Sequence, residues 1–209
     1  PLELTNDGVL TTASQQAIRA WLARQTVLKR DALFPHLRSL SDTLSDNEIQ
    51  PPINERNPDH YPIAALTNEE FDDLGLSRDI LAFFDERTGM YFLRSDFVKT
   101  KELRDSPEIQ SILRRILNHE VSHDLMRAYR PYLTTAANEG FASLLMVALE
   151  VIQTGAEWDT AVAILRESGL LSDEYFEYYR RLTESVFGQL TQFGLNDKER
   201  AIAILGFYK

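Results

Sequence analysis

His119-Glu120-Val121-Ser122-His123 places two imidazoles and a carboxylate within five consecutive positions. On an α-helix, residues four apart share a face. His119 and His123 can therefore turn their ring nitrogens toward one metal ion, each at about 2.0–2.1 Å. Glu120 stands beside them and can reach a water on that ion. The flanking pattern predicts a helix whose histidines point inward. Ile112, Ile116, His119, His123 and Met126 form one row at steps of three and four residues. Imidazoles on an apolar face need partners, because buried polar groups are costly when unsatisfied. One metal ion would serve both. The plainer alternative is two structural histidines hydrogen-bonded in a helix core.

A catalytic zinc site takes three protein ligands and keeps one position open. With no cysteine in the chain, the third must be His, Asp or Glu. Glu139 is the best candidate. It lies in Asn138-Glu139-Gly140-Phe141-Ala142, near the start of a segment that is apolar nearly all round: Phe141, Leu144, Leu145, Met146, Val147, Ala148, Leu149, Val151 and Ile152. That pattern predicts a buried central helix, where a carboxylate needs compensation. Ala136, Ala137, Gly140, Ala142 and Ser143 are small, which allows close approach to the first helix. Otherwise Glu139 is a helix N-terminal carboxylate stabilised by the macrodipole. The rivals are weaker. Asp124 projects about 100° around the helix from His123, and Glu150 lies about 16 Å beyond Glu139 along its helix. His36 and His60 stand in remote contexts.

The pair of motifs resembles the gluzincin metallopeptidases of the zincin superfamily. The resemblance covers about residues 79–153 and is closest to a compact, minigluzincin-like core. It implies zinc ligands at His119, His123 and Glu139, with Glu120 as general base. It also implies an edge strand just before the motif helix, a place that Met90–Leu93 would suit. The chain departs from the family in three ways. The stretch between His123 and Glu139 is shorter than in thermolysin-like members. Ser143 stands where an acidic residue often follows the glutamate ligand by one turn. No His or Tyr is matched to oxyanion stabilisation, although Tyr129, Tyr132, Tyr175, Tyr178 and Tyr179 are available.

Several elements must position these groups. Residues 13–40 read as helical, with Pro35 as a break or kink. Residues 41–66 are polar and proline-bearing and read as a surface loop. Ile80–Phe84 and Met90–Leu93 flank a Gly-containing turn and read as a β-hairpin. Ser106-Pro107-Glu108 is a helix start for a helix reaching about Arg127. Further helices are expected at about 134–153, closed by Gly155, and at about 157–168, 172–188 and 196–206. The fold expected is mainly α with a small β-element. It divides into an N-terminal helical extension and loop (1–66), a zincin-like catalytic core (67–155) and a C-terminal helical part (156–209), which can also close as one compact domain.

Composition excludes several other classes. The chain has 209 residues, 22 Lys and Arg against 32 Asp and Glu, and a formal net charge of −10. That balance and the lack of a dense basic run argue against nucleic acid as a partner. Leu144–Leu149 is the longest apolar run, too short for a bilayer, which takes about 20 residues. The missing Met and cysteines lean toward an exported or processed chain without fixing its compartment. The function expected is zinc-dependent hydrolysis of peptide bonds in a peptide or protein substrate, with one Zn2+ and Glu120 activating water. The alternative is a non-catalytic zinc-binding protein or degenerate peptidase serving as an interaction module. A third possibility is an all-helical interaction protein carrying the motif by chance, with the aromatic-rich stretch from Asp173 to Gly188 as its stripe.

Overall fold

The computed structural model describes residues 34–49, 63–76, 80–85, 90–98, 100, 105–126, 133–171, 177–181, 185, 188–190 and 192–206. The helix expected before residue 34, the proline-bearing stretch up to residue 62 with His60, the turn at 86–89, and Tyr129, Tyr132 and Tyr175 lie outside these residues. The described residues are mainly helical with one small three-stranded sheet. They fall into two compact units. One takes those within 34–36 and 63–113, the other those within 37–49 and 114–206.

The first unit holds the sheet. Strand β1 is Ile63–Leu66, β2 is Ala82–Asp85 and β3 is Met90–Arg94. Their order is β1-β3-β2. β2 and β3 are antiparallel, pairing Phe83 with Phe92 and Phe84 with Tyr91, so the expected hairpin is present. β1 lies parallel to β3, pairing Ala64 with Phe92. Two expectations are corrected here. Residues 63–66 are a strand, not the end of a loop. Met90–Leu93 is the central strand, not an edge. Tyr91, Phe92 and Leu93 are all buried, as in a strand covered on both faces, where side chains of both parities are apolar.

Helix α2, Asn68–Asp73, follows β1 through a capping box at Thr67 and Glu70. Its Phe71 packs with Leu66 and Phe92, and Phe83 stacks on Phe92 with ring centroids 4.7 Å apart. Arg94 closes this core. Its guanidinium lies 4.3 Å over the Phe71 ring, Nε donates to the Ile80 carbonyl at 2.6 Å, and Nη1 donates to Asn68 Oδ1 at 2.7 Å. A buried charge is tolerated when its donors are met in this way.

The second unit is helical. Helix α1, Phe34–Asp46, begins in the first unit and carries Pro35 in its first turn, where the missing N–H does no harm. It runs six residues past its expected end at 40 because Leu40 and Leu44, one turn apart, are both buried. Helix α3, Pro107–Leu125, likewise begins in the first unit. Helix α4, Thr135–Thr154, is capped by the Thr134 side chain, which accepts from Ala137 N–H, and ends at Gly155 in the left-handed region with φ 72°. Every residue from Ala142 to Val151 is buried. By length and composition α4 is the one described helix able to cross a membrane, but 72% of its apolar window is buried within the protein. It is a core helix. Helices α5, Trp158–Glu167, and α6, Asp197–Gly206, pack against it. Trp158 N–H donates to Asp197 Oδ2 at 2.8 Å, tying the start of α5 to that of α6.

Candidate metal centre

The motif lies in the last two turns of α3. Ile116, His123 and Met126 are buried, and Ile112 and His119 are half-buried, so the expected inward row is present. The Nε2 atoms of His119 and His123 are 3.1 Å apart, with the rings perpendicular. Glu139 comes to them from the second turn of α4. Its Oε2 lies 3.4 Å from His119 Nε2 and 3.5 Å from His123 Nε2.

These separations can be tested against a metal. Tetrahedral ligands at 2.0–2.1 Å from zinc stand about 3.3–3.4 Å from one another. A circle through the three observed atoms has a radius of about 1.9 Å, and a point about 0.7 Å off its plane is 2.0–2.1 Å from all three. The residues fit a single ion. His119 and Glu139 keep 20% and 25% of their side-chain surface, which leaves solvent access to the cluster, as a catalytic site requires.

The electrostatics agree with a cation-seeking site. Burial pushes the Glu139 carboxyl up, but hydrogen bonds and charge from His119 and His123 outweigh it and hold the group well below the usual carboxylate range.

Behind these three residues stands Asn138. Its side-chain amide is 3.1 Å from His123 Nδ1, and both residues are buried. Asn138 Oδ1 has no hydrogen-bond partner among the described residues. Oxygen and nitrogen of an amide exchange places on a half-turn. With His123 bound through Nε2, its Nδ1–H becomes a donor, and the turned amide supplies the acceptor. His119 Nδ1 is also buried without a partner among the described residues. Sequence reasoning left the partner of the histidines unassigned. The available signal was Asn138 itself, adjacent to Glu139 in a helix otherwise apolar on that side.

The remaining candidates separate cleanly. Glu120 is buried beside His119 on α3 and is not one of the three converging groups. Asp124 and His36 also stand outside that group. Glu150 is engaged elsewhere, in ion pairs with Arg114 and Arg115. Tyr179 is buried, and its hydroxyl accepts from the Trp158 indole at 3.1 Å, which marks it as a core residue. Tyr178 is exposed.

His119, His123 and Glu139 thus form a group able to hold a metal ion. Compared with models of protein families, with curated proteins and with solved structures, the chain matches none.

Proposed function

We propose that the protein is a zinc-dependent peptide hydrolase. The observation that carries this reading is the convergence of His119, His123 and Glu139 at tetrahedral spacing on helices α3 and α4, with Glu120 adjoining. Zinc, when bound by these three residues, supplies Lewis acidity that polarises a carbonyl and makes water acidic near neutral pH. Glu120 takes the proton of the attacking water and returns it to the leaving amine. Asn138 orients His123 through Nδ1.

Glu120→Gln tests the reading, because it preserves shape and removes the base. The variant is expected to keep stoichiometric zinc by elemental analysis and to lose at least about 100-fold of its cleavage of a fluorogenic peptide library. A fully active variant would remove Glu120 from the mechanism.

A second reading is favoured by the position of β3. With Met90–Leu93 central, the strand that the resemblance puts at an edge, where an extended substrate could pair, has no free edge among the described strands. A zinc-binding protein without turnover needs none. It predicts that folded, zinc-loaded wild type cleaves no member of the library.

A further inference from the structure

Helices α3 and α4 meet through two polar clusters, and the candidate metal centre is only one of them. At the other, Glu150 is 1% exposed. Arg114 grips its carboxylate with both prongs, Nη1 donating to Oε2 at 2.7 Å and Nη2 to Oε1 at 3.0 Å. Arg115 Nε donates to Oε1 at 3.2 Å. Arg114 Nη1 also donates to Gln153 Oε1 at 3.0 Å, and that oxygen takes a further hydrogen bond from buried Asn118 at 2.9 Å. Three residues of α3 therefore hold two residues of α4.

This arrangement is sensitive to register. The forked Arg–carboxylate pair fixes angle as well as distance, so little sliding or rotation of α4 keeps all five hydrogen bonds. α4 packs more extensively on α5 and α6 than on α3. Its register against α3 is thus left to side chains. The metal centre depends on that same register, because its imidazoles ride on α3 and its carboxylate on α4. Metal sites tolerate errors of only about 0.2 Å in ligand distance. Glu139 and Glu150 are eleven residues apart on one helix, about 16 Å along a rigid rod, so a shift at one end is felt at the other.

We propose that Glu150 is a positioning residue: clasped by Arg114 and Arg115, it sets α4 against α3 and assembles His119, His123 and Glu139 before the metal arrives. The proposal rests on the metal-centre reading. An ordinary ion pair would stabilise metal-free and metal-loaded protein equally and leave metal affinity unchanged. A positioning pair changes the affinity itself.

The experiment titrates zinc into chelator-stripped full-length protein against a chromophoric competitor. Glu150→Gln is expected to weaken zinc binding about 10- to 100-fold, the range for groups that support metal ligands. Arg114→Lys keeps the charge without the fork and should lose less. Leu165→Ala, a buried α5 residue in neither cluster, is the control for general destabilisation. It should lower the melting temperature and keep zinc affinity within about twofold. If Glu150→Gln does not fold, Arg115→Gln replaces it, removing one hydrogen bond and leaving the Arg114 pair. Wild-type affinity in the folded variants would overturn the positioning role. A wild-type protein that takes up no zinc would overturn the metal centre and the positioning role with it.

Discussion

The Arg94 cluster in the sheet unit and the His119–His123–Glu139 cluster in the helical unit bury polar groups in opposite ways. Around Arg94 the chemistry is closed: Nε and Nη1 have oxygen acceptors within 2.7 Å and the guanidinium plane lies on Phe71. Around the histidines it is open. Three possible ligand atoms converge on one point, and among the described residues Asn138 Oδ1 and His119 Nδ1 lack partners. A closed cluster stabilises a fold. An open cluster with buried polar atoms left over is one that a cation can complete, and that difference separates a structural site from a candidate functional one.

The sharpest test of this contrast is His123→Ala. It should weaken zinc binding more than about 100-fold, beyond the range for supporting residues, as read by competition titration. Arg94→Ala should do the reverse. Loss of its charged hydrogen bonds and ring contact should lower stability by about 2–4 kcal/mol in denaturant unfolding, with zinc affinity unchanged. A fall in zinc affinity with Arg94→Ala would break the comparison. Next comes Asn138→Ala, expected to cost about 10- to 100-fold in zinc affinity. If it costs nothing, the amide is packing alone. Acidification should act in the same direction. Imidazole must be neutral to bind metal, so affinity should fall on acidification. Glu139, held well below the usual carboxylate range, stays ionised and adds nothing to the protons that zinc binding releases. Calorimetry in buffers of different ionisation enthalpy counts them. The smallest effect is Thr67→Ala in the sheet unit, which removes a capping box and should cost about 0.5–2 kcal/mol in stability without touching zinc.

Much of this was legible in local spacing. The helix from Pro107, the central helix closed by Gly155, the β2–β3 hairpin and the shared face of His119 and His123 follow from periodicity, caps and turn residues, all of which act within a few positions. Two local signals were misread. Leu40 and Leu44 carry α1 past residue 40, although the polar residues around them resemble a loop. Met90–Leu93 is apolar at both parities, the pattern of a central strand and not of the edge strand that the resemblance implied.

Sequence alone determined which residue types are available and which share a helix face. It placed His119, Glu120 and His123 together, because a helix converts a spacing of four into proximity. It nominated Glu139 by elimination among carboxylates. Only the tertiary structure decided that Glu139 meets the histidines while Glu150 binds two arginines, that Asn138 backs His123, and that β1 rather than β2 lies parallel to the strand between them. Those facts depend on the register and crossing of elements many residues apart, which long-range packing sets and no local periodicity encodes.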